Sequence, residues 1–120
     1  MSKTKTHMEQ MKEVSTEARG YCPIDETTDS INKWSAARKI VPNSTAVVQC
    51  MKAMSEMGEL ADNLIKGRSP KDDIGDIYVC LCNVAALSGL TMAECIEHAY
   101  NDIKDRKGTT LPNGTFVKDV

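Results

Sequence analysis

Residues 51–87 read MKAMSEMGELADNLIKGRSPKDDIGDIYVCLCNVAAL and hold two pairs of acids, Glu56 with Glu59 and Asp73 with Asp76. Each pair has i, i+3 spacing, which on an α-helix brings two side chains to neighbouring places on one face. The link Lys66-Gly67-Arg68-Ser69-Pro70 is short and built from helix-ending residues, so it predicts two helices folded back antiparallel. Four carboxylates then converge, as they must to hold a divalent cation.

The residues around each pair set its weight. On a wheel of about 100° per residue, one side of the first helix carries Val47, Met51, Met54, Gly58, Ala61 and Ile65. Lys52, Glu56, Glu59 and Asn63 form a polar stripe. Taken alone, that stripe reads as a solvated face. The next helix shifts the balance: from Ile77 to Leu87 only Asn83 is polar, which predicts burial in a core or a subunit interface. Asp73, Asp76 and Asn83 share one narrow face of it. Aspartates at the mouth of a buried helix are costly unless paired, hydrogen-bonded or metal-bound. The competing reading is a pair of solvated acids in the first turn after Ser69-Pro70, favoured there by the helix dipole.

A chain of 120 residues is one domain, of a size where oligomerisation often helps. The net charge of −2, with Lys and Arg spread along the chain, argues against a polynucleotide partner. Five cysteines without a C-x-x-C pair make no disulfide framework, and Cys80 and Cys82 point to different sides of one helix. Reduced thiols fit a cytoplasmic protein. The N-terminal MSKTKTHMEQMK lacks the apolar stretch of a signal peptide, and the apolar run at 77–87 is too short for a bilayer, so no membrane role is expected. Neither His7 nor His98 has a partner at ligand spacing. An all-oxygen set of carboxylates suits Mg²⁺, with Mn²⁺ as the alternative, rather than zinc or di-iron.

In chain order, residues 1–25 carry a weak helical pattern around Met8, Met11 and Val14, an N-terminal arm or short helix, and 26–120 form the helical domain. ETTDSINKWSAARKIV, 26–41, reads as a helix with Ile31, Trp34 and Val41 on one side. Trp34 is either a core anchor or a ring that stacks on a nucleobase, with Arg38 one turn on beside a phosphate. Pro42-Asn43-Ser44 supplies a turn and the N-cap of a second helix running to about Lys66. The third helix spans about Ser69 to Leu87. Ser88-Gly89-Leu90 ends it, and Thr91 with Glu94 makes a capping box for a fourth, MAECIEHAYNDIKDRK, with Met92, Ile96, Ala99, Tyr100 and Ile103 on its apolar side. Pro112-Asn113-Gly114 sits between β-prone pieces, a short hairpin or extended tail. The expectation is an all-α four-helix bundle. One Trp, one Phe and three Tyr supply little bulk to cover the third helix, so a homodimer or homotetramer is expected, with the second and third helices near the interface.

Glu56-Met-Gly-Glu59-Leu followed by Asp73-Ile-Gly-Asp76 resembles the paired acid motifs of the MazG-like all-α nucleoside triphosphate pyrophosphohydrolases. The likeness runs from Ile31 to the C-terminus and includes Lys52 ahead of the first pair, Asn-Lys-Trp at 32–34, and the closing run IKDRKGTTLPNGTFVKD, which is similar to the short bacteriophage type. Two positions depart: Asp73 stands where the family has Glu, and Ser55 where many members have an acid. The resemblance implies Mg²⁺-dependent hydrolysis of nucleoside triphosphates, often deoxynucleotides, to the monophosphate and pyrophosphate by dimers or tetramers. On that reading Glu56, Glu59, Asp73 and Asp76 hold metal, and Glu56 or Glu59 activates water. Trp34, Asn83, Arg38, Lys52, Lys104, Arg106 and Lys107 are the candidates for base, sugar and phosphate contacts. Two other classes stay open: a non-catalytic helical oligomeric interaction protein, and a related phosphohydrolase acting on diphosphates.

Overall fold

A helix that is apolar on most sides has to be wrapped, and the chain is arranged to do so. The computed structural model describes residues 23–119; the expected N-terminal arm falls, up to residue 22, outside the described residues. Among the described residues five helices and a hairpin follow one another: α1 (Ile24–Ala37), α2 (Ile40–Asn43), α3 (Ala46–Ile65), α4 (Lys71–Leu87), α5 (Met92–Ile103), β1 (Gly108–Thr110) and β2 (Phe116–Lys118). The chain is thus mostly helical with a small two-stranded sheet. All of α1, α2, α3 and α5 touch α4, and α3 does so along most of its length. Among the described residues no single helix is long and apolar enough to cross a membrane.

The α3–α4 hairpin is closed by backbone chemistry at its link. Gly67 takes φ +70, a left-handed conformation that costs glycine little. Its N–H donates to the Leu64 carbonyl at 3.2 Å and the Arg68 N–H to the Asn63 carbonyl at 2.8 Å, the double closure of a Schellman motif. The same closure ends α4, with Leu90 N–H donating to Ala85 at 2.8 Å beside Gly89. Thr91 and Glu94 then form the expected capping box on α5.

Two expectations need correction at the start of the domain. The helix over 26–41 ends at Ala37, Lys39 is left-handed at φ 59, and Val41 is extended at φ −104, ψ 119. Pro42 is the cause, because its ring excludes helical backbone at the residue before it. The N-cap of α3 is Thr45, whose hydroxyl accepts from Val48 N–H, and not a residue of Pro42-Asn43-Ser44.

The larger correction concerns which face of α3 is inside. Its less exposed positions are 46, 49, 53, 56, 60 and 63, alternating steps of three and four that mark a seam against a neighbouring helix. That seam contains Gln49, Glu56 and Asn63, so half of the polar stripe, Glu56 and Asn63, faces α4, while Lys52 and Glu59 stay exposed. Val47 (71%), Met51, Met54 and Ile65 (85%) are exposed instead. The apolar side of α5 is also open at Ile96, Tyr100 and Ile103. Uncovered apolar surface therefore lies on α3 and α5, while α4, expected to be the one lacking cover, is mostly wrapped within the chain, with Ile74 and Leu81 open to solvent.

Polar atoms around Asn83 are paired inside the seam. Asn83, 3% exposed, accepts from Ser35 Oγ at 2.6 Å and donates to Gln49 Oε1 at 3.0 Å; Gln49 Nε2 donates to Ser44 Oγ at 3.1 Å. Four side chains from α1, α4, α3 and the turn before α3 form one hydrogen-bonded chain. Tyr78 and Thr28 share a further bond of 2.7 Å between α4 and α1.

The tail forms the expected hairpin, with β1 and β2 antiparallel and Thr109 opposite Val117. Gly114 at φ +89 makes its turn, and a side chain at Gly108 would collide with the Val117 carbonyl.

Ser35 is 1% exposed and its hydroxyl is the donor that satisfies Asn83 Oδ1. Ser35→Ala is expected to cost about 1–3 kcal/mol of stability by stranding that oxygen. Ser30→Ala, which removes an exposed hydroxyl bound to its own helix, is expected to be near neutral; urea unfolding of both variants checks this.

Candidate metal centre

The antiparallel pairing of α3 and α4 brings the acids together near the closed end of the hairpin. One carboxylate oxygen each from Glu56, Glu59 and Asp73 lies within 4.8 Å of the other two. Asp73 is thus a member of the cluster although its side chain is one methylene shorter than those of the two glutamates. Asp76, one turn further along α4, stands outside this trio but lines the adjoining cavity with Glu56.

Burial and charge act on the cluster in a consistent direction. Glu56 Oε2 is buried and has no hydrogen-bond partner. Removal from water raises the Glu56 pKa above its ordinary value, the neighbouring Glu59 and Asp76 carboxylates push it further, and Lys52 offsets part of the rise. Asp73, 6% exposed, is held differently: its Oδ2 accepts from Asn63 Nδ2 at 2.7 Å. An orphaned buried carboxylate oxygen beside two further acids is a costly arrangement that a hard cation would relieve. The three oxygen donors fit such an ion.

Beyond the acids, toward α1, opens a cavity of about 400 Å³. Trp34, Gln49, Lys52, Glu56, Asp76 and Asn83 line it, with Ile31, Ile40, Val79 and Cys80 making up the apolar wall. Trp34 is 45% exposed, so it is no core anchor; the Arg38 guanidinium lies over its ring, 4.3 Å from the centroid. That contact is a cation–π pair and occupies one face of the indole. Burial also pushes the Cys80 thiol up.

The candidate residues therefore separate by position. Trp34, Lys52, Asn83, Glu56 and Asp76 share the cavity, and Glu59 and Asp73 adjoin it through Glu56. Lys104, Arg106 and Lys107 follow α5, are exposed, and do not line the cavity; Arg106 pairs with Asp102 at 3.2 Å. Sequence reasoning missed Gln49, Ser35 and the role of Asn63. The alternating three-and-four spacing from Gln49 to Asn63 carried that signal but was masked by a stronger apolar stripe on the other side of the helix.

No family model matches this chain, and no solved structure does. The chain is 33% identical over 64 residues to an uncharacterized 18.2 kDa protein in the rep-hol intergenic region of Haemophilus phage HP1 (strain HP1c1), covering 52% of this chain and 39% of the phage protein. The match thus spans well under half of that relative's length.

Proposed function

We propose that the protein hydrolyses nucleoside triphosphates, deoxynucleotides foremost, between the α and β phosphorus, giving the monophosphate and pyrophosphate, with Mg²⁺ held by Glu56, Glu59 and Asp73. The observation that carries this reading is the juxtaposition of a three-carboxylate cluster, containing the unpartnered Glu56 Oε2, with a cavity walled by Trp34 and two amides. A triphosphate is repelled by such acids unless a cation stands between, and bound Mg²⁺ would supply that charge neutralisation. Glu56, whose proton affinity is raised by burial, is suited to accept the proton of the attacking water. Lys52 faces the same space and would offset phosphate charge. The free part of the Trp34 ring, with Asn83 and Gln49, would receive the base, and Asp76 would complete the acidic wall or the ligand set.

Scored on the eight common nucleotides, the expected products are monophosphate and pyrophosphate, with activity lost in excess chelator and restored by Mg²⁺ or Mn²⁺. Orthophosphate as the primary product, or full activity in chelator, overturns the proposal.

Glu56→Gln, Glu59→Gln and Asp76→Asn are each expected to lower turnover about a hundredfold or more. Folding should survive, and for Glu56 the sign of the pH effect follows from its raised pKa. A carboxyl that binds its proton more tightly folded than unfolded contributes stability below the unfolded value of 4.5, and that contribution is lost as pH rises through the folded value. Metal-free Glu56→Gln should therefore melt higher than metal-free wild type at neutral pH, with the difference shrinking as pH falls through the raised folded value and gone below 4.5.

The fuller architecture we infer is a helical bundle completed by a second copy, as a homodimer or homotetramer. The open apolar residues Val47, Met51 and Met54 of α3 support it, since a contiguous exposed stripe of this kind marks an association surface. The melting temperature should rise with protein concentration, and Met54→Glu should lower the assembled mass measured by light scattering. A fully active wild-type monomer at micromolar concentration would contradict this.

A further inference from the structure

We propose that Asn63 is a positioning residue for the metal centre: it grips the Asp73 carboxylate by one oxygen and leaves the other for the cation. The inference rests on the metal reading above. Asp73 lies in the first turn of α4, almost fully buried, and the partner holding it is Asn63 Nδ2, which donates to Oδ2 at 2.7 Å. Asn63 is one turn beyond Glu59 and two beyond Glu56, so a single face of α3 presents two candidate ligands and then a neutral donor.

The backbone makes Asn63 a fixed point. Its carbonyl accepts the Arg68 N–H at 2.8 Å in the closure that ends α3, so the residue is tied to the link that sets α4 against α3. A carboxylate turns readily about its last torsion, and a hydrogen bond to one oxygen sets the plane of the group. An amide does this without changing the charge of the cluster. Lysine or arginine at the same place would cancel part of the negative charge that attracts a cation, and an acid would lose the bond and add repulsion. This also accounts for the short side chain at 73: with Asn63 reaching across to it, the aspartate is already placed within 4.8 Å of the two glutamates.

The test measures the ion alone, without nucleotide. Mn²⁺ is titrated into the protein and free ion is followed by electron paramagnetic resonance. Asn63→Ala is expected to weaken Mn²⁺ binding about tenfold, the lower end of what losing a ligand's hydrogen-bond partner costs. Asn63→Leu keeps the volume of the side chain and is expected to do the same, which guards against a poorly folded alanine variant. In an Asp73→Ala background, Asn63→Leu should cause no further loss, because the group through which it acts is gone. Wild-type protein that takes up no Mn²⁺ overturns the metal reading and this inference with it. Wild-type uptake with unchanged affinity in both Asn63 variants overturns this inference alone. Losses that add in the double variant overturn it as well, by making Asn63 a ligand in its own right.

Discussion

Polar atoms carried into a seam between two helices must find partners there, and the rest of this structure depends on how α3 and α4 meet that demand. At one end Asn83 is satisfied by a chain that runs from Ser35 through Gln49 to Ser44, drawing α1 and the turn before α3 onto the same point of α4. At the other end Asp73 is satisfied by Asn63. Between them Glu56 Oε2 is buried without a partner. Buried polar groups go unpaired only at a cost, so this oxygen is the exception to the pairing on either side of it. The paired groups fix register, because a slip of α3 against α4 would break the Asn83–Gln49 and Asn63–Asp73 bonds together.

The same demand explains why α3 is turned as it is. Its seam is made of Gln49, Ala53, Glu56, Leu60 and Asn63, while its more hydrophobic stripe looks outward. Burial of apolar surface drives folding at about 25 cal/mol per Å², so a helix that exposes its better apolar side within one chain has a second surface to satisfy. Within the chain, the specific hydrogen bonds of the seam win the choice of face.

Much of the architecture was legible in residue order. The hairpin of α3 and α4, both glycine-closed ends, the Thr91–Glu94 box and the β-turn at Pro112-Asn113-Gly114 are local chemistry, set by residues within a few positions of one another. Spacing also brought Glu56 and Glu59 to one place, and Asp73 opposite them. What could not be read was the choice between two stripes on α3, since periodicity shows that a helix has faces and not which neighbour each one meets. The break at Lys39 to Val41 had a visible cause in Pro42, yet the apolar pattern over 31–41 spoke for continuity. Asn63 looked like one more solvated residue because its partner lies across the link.

The short link has a consequence in kinetics. Asn63 and Asp73 are only ten positions apart, and Glu59 and Asp73 face each other across the same short link, so the acid cluster closes within one helical hairpin. Closing small loops costs little chain entropy, and helical hairpins with local contacts form fast. The cluster can thus be in place before α1 docks and Ser35 completes the chain to Asn83, a contact across forty-eight positions. Folding on this order places the like charges of Glu56, Glu59 and Asp73 together early, ahead of the cover that α1 lays over the cavity, so their repulsion is met by the hairpin alone.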